Sequence, residues 1–376
     1  MQRLATPPRP DWRSHVERDL GFVFHTIDGA TYWDETCCYA FTAAQVDELE
    51  AATGELEQMA LELVGRVVQG GEAAYERLLI PRPAWAAIEH SWTAGEKNLY
   101  GRFDLRYDGN GPPQLLEYNA DTPTALFEAA VVQWDWLEAL RPGSDQFNSI
   151  HEKLIQAWGH FGLGRTRVYF AAVKDHVEDG GTVEYLRDTA VQAGLDTARI
   201  AIEDIGWDGG RFLDLDNEPI EALFKLYPWE WIVGEEFGQH LLTGAARVIE
   251  PAWKMVLSNK AALALLWEMA PNHPNLLPAA LEPGGIEGAV VRKPIFGREG
   301  ANVQVIEADR VVAETGGRYG AEGFVYQAHA PLPAFDGNYP VIGAWVVASQ
   351  PAGIGIREDS TAITRDTSRF VPHFFK

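Results

Sequence analysis

The stretch LYGRFDLRYDGNGPPQLLEYNADTPT, Leu99 to Thr124, decides how the rest of the chain is read. Leu99 to Tyr107 and Pro113 to Tyr118 read as two strands. Asp108-Gly109-Asn110-Gly111 between them is a strong hairpin signal, because Asp-Gly and Asn-Gly accept the positive φ of tight turns. Residues two apart in a strand share a face, so Arg102 presents with Asp104, and Glu117 with Asn119. Two carboxylates and an amide oxygen on paired strands are hard donors suited to Mg²⁺, an ion that keeps waters and binds substrate phosphates. An arginine beside them can hold a phosphate or carboxylate through two hydrogen bonds. A surface hairpin with an ordinary ion pair has the same spacing, and spacing alone leaves both readings standing.

On the N-terminal side, Val46, Leu49, Leu56, Met59, Leu63 and Val67 recur at helical spacing with acidic residues between them, which predicts one long amphipathic helix over Thr42 to Gln69. On the C-terminal side, Leu126 to Leu140 is almost wholly apolar and aromatic and predicts a buried helix. After the turn at Arg141-Pro142-Gly143 the pattern alternates: strand Val168 to Val173, helix Thr182 to Ala193, strand Arg199 to Glu203, strand Ala222 to Leu226. Such alternation predicts a parallel-sheet α/β unit. From Ala289 onward, short β-rich runs between Gly-containing turns (Ala289 to Ile295, Asn302 to Ile306, Val311 to Ala313, Phe324 to Ala328, Val341 to Ala348, Ile354 to Ile356) predict an antiparallel β-rich lobe. The fold class is therefore mixed α/β in several lobes, with boundaries near 142 and 250.

Two further segments carry chemistry. Val290 to Val303 runs strand, loop, strand, and the loop holds Gly297 and Gly300, whose exposed backbone amides can cradle phosphate oxygens. Lys293 sits in the apolar strand and needs a partner there: a phosphate is one, a buried carboxylate the other. Near the C-terminus Gly353 to Asp359 places Arg357 before two acids, with Thr364, Asp366 and Ser368-Arg369-Phe370 beyond; a charge-neutralising clamp and a plain salt-bridged turn are equally open. Trp229 and Trp231 around Glu230, and Trp134 and Trp136 around Asp135, read as core and interface packing.

Composition excludes several classes. Fifty-four Asp plus Glu against 31 Lys plus Arg give a formal charge of −23, which argues against nucleic acid and anionic membrane as partners because both need a clustered cationic face. The N-terminal residues lack an apolar signal region and no uncharged run reaches membrane-span length, so the expectation is a soluble, cytoplasmic protein. Cys37 and Cys38 are adjacent and make no disulfide framework or zinc set; they read as small semi-buried residues. No histidine falls in HExxH spacing, no GxSxG elbow occurs, and neither a Walker A motif nor a dinucleotide fingerprint is present.

Gly101-Arg102-Phe103-Asp104, Leu116 to Thr124, Lys225 to Glu230, Ser258-Asn259-Lys260, Lys293-Pro294-Ile295 with its glycine loop, and Gly355 to Asp359 occur in one order over most of the chain. Together they resemble the synthetase part of the glutathionylspermidine synthase family, and more closely its short bacterial members, provisionally described as acid–amine ligases. The resemblance implies an ATP-grasp fold with a pre-ATP-grasp-like α/β lobe and a β-rich ATP-binding lobe. Its segments would be 1–142, an N-terminal helical part with the hairpin; 143–250, the α/β lobe; and 251–376, the nucleotide-binding lobe. It implies an ADP-forming ligase that uses ATP and Mg²⁺ to join a small-molecule carboxylate to an amine through an acyl phosphate. On that pattern Asp104, Glu117 and Asn119 hold Mg²⁺, while Arg102, Phe103, Asp104, Lys260, Lys293, Gly297, Gly300 and Gln327 bind ATP, with Gln327 at the adenine. Arg102 and Arg357 are then catalytic, and Thr122, Glu178 and Asp179 meet the substrates. No room is expected for the amidase domain of bifunctional members. An inactive nucleotide-binding scaffold, and an ATP-grasp enzyme of peptide modification with a non-polyamine substrate, are the alternatives. The acidic excess could steer a cationic amine, though general solubility explains it as simply.

Overall fold

The long amphipathic pattern forms one helix because both of its ends and its apolar stripe are satisfied. In the computed structural model, which describes residues 1–365 and 367–376, strands β1 (Gln2–Ala5) and β2 (Cys37–Phe41) precede helix α1 (Ala43–Gly70). Thr42 caps the helix: its hydroxyl accepts from Gln45 N, and Gln45 Oε1 accepts from Thr42 N, so two otherwise unpaired amides are met. The Gln45 Nε2 also donates to Gly109 O at 2.9 Å and ties the helix start to the hairpin turn. Val46, Leu49, Leu56, Leu63 and Val67 are all buried, as the spacing requires.

The hairpin is present as β3 (Tyr100–Arg106) and β4 (Gln114–Asn119), antiparallel. The apolar run after it begins as a single π-helical turn, Glu128–Val132, and continues as an α-helix, Gln133–Leu140. It is amphipathic rather than wholly buried, since Trp136 is sealed and Trp134 is exposed. The α/β unit then follows: β5 (Val168–Ala172), α2 (Val177–Gln192), β6 (Thr197–Ala201), β7 (Ala222–Lys225), the short helix α3 (Trp229–Val233) and β8 (Arg247–Ile249). These strands form a parallel sheet in the order β8-β7-β5-β6. Helix α2 starts five residues before the expected Thr182, and β6 lies two residues before the expected strand.

A second antiparallel sheet has the order β9-β13-β10-β11-β12, from β9 (Ala279–Ala280), β10 (Val290–Pro294), β11 (Gln304–Glu307), β12 (Arg310–Glu314) and β13 (Phe324–Ala328). The last strands do not stay with it. β14 (Tyr339–Val347), β15 (Gln350–Asp359) and β16 (Arg369–Val371) extend the hairpin into a five-stranded sheet, β16-β15-β14-β3-β4. Within it Gly343 stands opposite Asp104. Strand β17 (His373–Phe375) pairs parallel with β2. Segments 1–142 and 251–376 therefore share this sheet, and the last ninety residues are not a separate β lobe. The physical reason is that the free edge of β3 exposes unpaired backbone groups that β14 satisfies.

One face of the five-stranded sheet packs Phe103, Leu105, Ile342 and Ala344 into the same apolar cluster as α1, and the other faces a cavity. Buried ion pairs hold this sheet to the parallel sheet. Lys225, the last residue of β7, donates to Asp121 Oδ1 at 2.6 Å, with both side chains sealed from water. Asp121 Oδ2 accepts from Trp229 N at 2.8 Å. Beside them, Glu250 accepts from the amides of Leu99 and Tyr100 and pairs with Lys254 at 2.9 Å. No helix among the described residues is long and apolar enough to cross a membrane.

Removing one member of a buried pair strands the other charge, at a cost of about 3–5 kcal/mol, whereas replacing both by apolar groups costs less. Lys225→Met should lower unfolding stability in urea titration by an amount in that range. The double variant Asp121→Leu/Lys225→Met should be more stable than Lys225→Met alone.

Candidate functional site

A cavity of about 450 Å³ opens where the two antiparallel sheets meet the C-terminal ends of the parallel strands, at Val173 after β5 and Leu226 after β7. Strand alternation decides which hairpin residues reach it. Arg102 and Asp104 face the cavity; Phe103 points the other way and stacks on Tyr118 with ring centroids 3.8 Å apart. Phe103, expected among the ATP-binding residues, is thus corrected to a core side chain. Arg102 grips Asp104 through Nε–Oδ1 at 2.7 Å and Nη2–Oδ2 at 3.2 Å, and donates to Thr124 O at 2.7 Å. Arg357, two strands away on β15, donates to the same Asp104 Oδ2 at 2.9 Å. Gly343 on the intervening β14 makes this possible, because a Cβ there would stand 2.9 Å from Arg102 Cδ.

The register of β3 against β4 sets Glu117 opposite Asp104 and Asn119 opposite Arg102. Asn119 Nδ2 lies 3.3 Å from Asp104 Oδ2 and 3.2 Å from Glu117 Oε1, so one amide bridges both carboxylates. A half-turn of that amide would present its oxygen to the same point. A bulge at Leu116 leaves carbonyls for the neighbouring sheet to use. Lys293 Nζ donates to Leu116 O at 2.8 Å and to Gln327 Oε1 at 2.7 Å, and Gln327 Nε2 donates to Leu115 O at 2.9 Å. Burial pulls the Lys293 ammonium down to about 8, against the pull of Glu117. Lys260 Nζ pairs with Glu117 Oε2 at 3.0 Å and donates to Gly297 O at 2.7 Å. Burial works against ionisation of Glu117, but Lys260 and Lys293 outweigh it and hold the carboxyl well below the usual range.

The glycine loop after β10 covers one side. Gly300 has φ +68°, and a Cβ on it would collide with Thr364 O; Gly297 is tight against Pro294, at 3.2 Å. Between them Arg298, absent from the expected site, crosses the cavity to bond Glu230 and to donate to Thr122 Oγ1 at 2.9 Å. Its guanidinium lies 5.6 Å from the Trp231 ring, so Trp231 lines the cavity while Trp229 is core. The signals were an arginine inside a glycine loop and an acid between two tryptophans.

Glu178 and Asp179 also reach the cavity. They lie in the first turn of α2, ahead of the expected helix start at Thr182, and His176 caps that helix by accepting from Asp179 N at 3.2 Å. Burial pushes the Asp179 carboxyl up to about 6; Glu178 and Glu299 add to the rise, while His176 and Arg298 oppose it. Behind them Glu128 is buried and bonded to Tyr32. Burial and the nearby Glu178 push its carboxyl up to about 7. Glu128 is one of three acids in the run Leu126 to Leu140, with Asp135 and Glu138, so the sequence does not single it out.

The C-terminal segment divides. Arg357 faces the cavity, but Glu358 is turned away and held by Arg3 at 2.8 Å, Arg369 at 2.7 Å and Tyr39. Asp34, Cys37 and Glu358 come close enough to suggest a metal set, yet Arg3 and Arg369 already neutralise it. Asp359 is met by Arg365 and Ser368, which is the plain salt-bridged turn; Asp366 lies outside the described residues. Thus Arg102, Asp104, Glu117, Asn119, Thr122, Glu178, Asp179, Lys260, Lys293, Gly297, Gly300, Gln327 and Arg357 line one cavity.

The family model for the glutathionylspermidine synthase preATP-grasp family matches residues 3–376. The chain belongs to that family. A protein of Haemophilus influenzae with the provisional name acid–amine ligase is 45% identical to it over 98% of both chains. Trypanothione synthetase of Crithidia fasciculata is 31% identical over 77% of this chain and 49% of its own length. The bifunctional glutathionylspermidine synthetase/amidase of Escherichia coli is 26% identical over 89% of this chain and 58% of its own. A glutathione synthetase-like effector of Globodera pallida superposes with a TM-score of 0.54 over 93% of this chain and 92% of its own, at 10% identity, a likeness of fold alone. The mixed α/β architecture is of the ATP-grasp type, and the relatives carry the names of ligases and synthetases.

The loop geometry is testable. Gly300→Ala places an L side chain in the left-handed region, at about 1–2 kcal/mol, before its clash with Thr364 O. It should destabilise the protein by more than Gly297→Ala in paired urea titrations, and should increase proteolytic nicking within 296–302.

Proposed function

We propose that the protein is an ATP- and Mg²⁺-dependent ligase that joins the carboxylate of a small peptide such as glutathione to a polyamine or similar amine, forming ADP. The observation that carries this reading is the shared Asp104: one carboxylate, facing Glu117 across paired strands, held by Arg102 from its own strand and Arg357 from another. That arrangement gathers a hard-cation donor set and two arginines at one point. The peptide and amine classes are taken from the names of the trypanothione and glutathionylspermidine synthetases to which the chain is similar.

The donor chemistry fits the metal. Asp104, Glu117 and Asn119 offer only oxygen once the amide is turned, which suits Mg²⁺ and not a soft ion. When bound, Mg²⁺ supplies neutralisation of the phosphate oxygens. Lys260, Lys293 and the amides of the glycine loop hold the phosphates, and Gln327 meets the adenine. A substrate carboxylate oxygen attacks the γ-phosphorus, and ADP leaves with the electron pair of the broken P–O bond. The amine nitrogen then attacks the acyl carbon, and Arg102 stabilises the tetrahedral oxyanion. Collapse expels phosphate with the C–O bond pair, under the charge of Arg357. Thr122 and Arg298 orient the carboxylate partner. Glu178 and Asp179 bind the cationic end of the amine, and Asp179 accepts the proton its nitrogen releases.

Purified protein given ATP, Mg²⁺ and pooled carboxylates and amines should release ADP and phosphate only when both classes are present; no release, with no nucleotide binding by calorimetry, would overturn the proposal. Loss of a group that stabilises the developing charge costs on the order of 10²-fold or more. Arg102→Ala should therefore keep nucleotide affinity within a few fold and lose turnover by at least that factor.

The Asp179 carboxyl, raised to about 6, is charged above that pH and neutral below it. Affinity for an ammonium substrate should therefore rise as pH increases through about 6, with KM falling between pH 5 and 7. In Asp179→Asn that inflection should disappear and KM should stay at its low-pH value.

A further inference from the structure

The cations of the cavity are already engaged. Five of the lining side chains are Lys or Arg (Arg102, Lys260, Lys293, Arg298, Arg357), and five are carboxylates. Four of the five cations are in direct ion pairs: Arg102 and Arg357 with Asp104, Lys260 with Glu117, Arg298 with Glu230. The fifth, Lys293, spends its donors on Leu116 O and Gln327 Oε1. A polyphosphate approaching this face meets cations whose fields are cancelled within 3 Å, together with two carboxylates that repel it. The two carboxylates that hold Lys260 and Arg357 are also two of the three donors assigned above to Mg²⁺.

Resting on that assignment, we infer that Glu117 and Asp104 are specificity-determining residues that make the site reject metal-free polyphosphates. A divalent cation drawing on these carboxylates weakens their hold on Lys260 and Arg357 and turns both cations toward phosphate. Metal and nucleotide therefore bind with positive coupling, and the coupling must be reciprocal. Part of the metal's effect is electrostatic release of side chains the chain already carries, over and above direct contact with phosphate. Glu117 is the better place to test this, because its side chain is 25% exposed and that of its ion-pair partner Lys260 13%. Asp104 is sealed between two arginines.

The inference makes an unusual demand, that removing a metal ligand should improve binding of one form of the ligand. By calorimetry in EDTA, Glu117→Gln should bind metal-free ATP about 10-fold or more tightly than the unmodified chain, and the gain on adding MgCl₂ should shrink by a similar factor. If Glu117→Gln in EDTA binds no more tightly than the unmodified chain, while the unmodified chain binds ATP with MgCl₂, the inference is overturned and the nucleotide-site reading stands. If the unmodified chain binds no ATP with MgCl₂, both fall. A measurement without a variant guards against misfolding. Amine-modifying reagent followed by mass spectrometry should label Lys260 several-fold faster when MgCl₂ alone is added, with Lys293 unchanged. Equal labelling of Lys260 with and without MgCl₂ would overturn the release of that lysine.

Discussion

A carboxylate and an ammonium sealed from water, Asp121 and Lys225, join the two halves of the molecule. Burial alone would strip the charge from Lys225; Asp121 opposes this, and the Trp229 amide occupies the second carboxylate oxygen. Neither side can move without exposing the other charge to an apolar surrounding. Because Asp121 follows the hairpin strand by two residues, and Trp229 opens the helix carrying Glu230, this contact also fixes the wall where Thr122, Arg298 and Glu230 meet. Through Arg298, the glycine loop is thus anchored against the wall that this buried pair fixes.

The acidic balance of the whole chain says little about this interior. Against −23 for the sequence, the cavity lining carries equal numbers of cationic and carboxylate side chains. Function at the site depends on which partner each charge has, and partners are set by strand register. A one-residue slip of β4 against β3 would move Glu117 and Asn119 off the cavity face altogether. The bulge at Leu116 matters for the same reason, since it turns carbonyls toward Lys293 and Gln327 without disturbing Asp104 opposite Glu117.

Period-two alternation and the Asp-Gly-Asn-Gly turn made the hairpin, its cavity-facing residues and its pairing legible. Helical spacing did the same for α1. The parallel sheet followed from strand and helix alternation, with ends displaced by two to five residues, because caps such as His176 are weak signals in one sequence. Alternation, applied strictly, would also have placed Phe103 in the core. Pairing between β3 and β14 could not be read, because both are apolar strands and nothing local records a partner some 240 residues away. Arg298 and Glu128 escaped for a related reason: their meaning comes from Glu230, Thr122 and Tyr32, contacts that exist only after folding.

The sheet carrying Arg102 and Asp104 also sets the order in which the protein can be assembled. During synthesis the hairpin emerges early, yet its open edge has no partner until β14 and β15 have been made, after the α/β unit and the glycine-loop sheet. Closing so long a loop is slow, and it leaves an apolar strand edge uncovered in the meantime. The nascent chain therefore spends most of its synthesis with a sticky half-sheet. The buried Glu250–Lys254 grip on the start of β3 is available to steady that half-sheet before the last strands arrive. A cavity whose lining is split between two distant parts of one chain exists in no unfinished polypeptide, so its charged residues come together only when the last strands are in place.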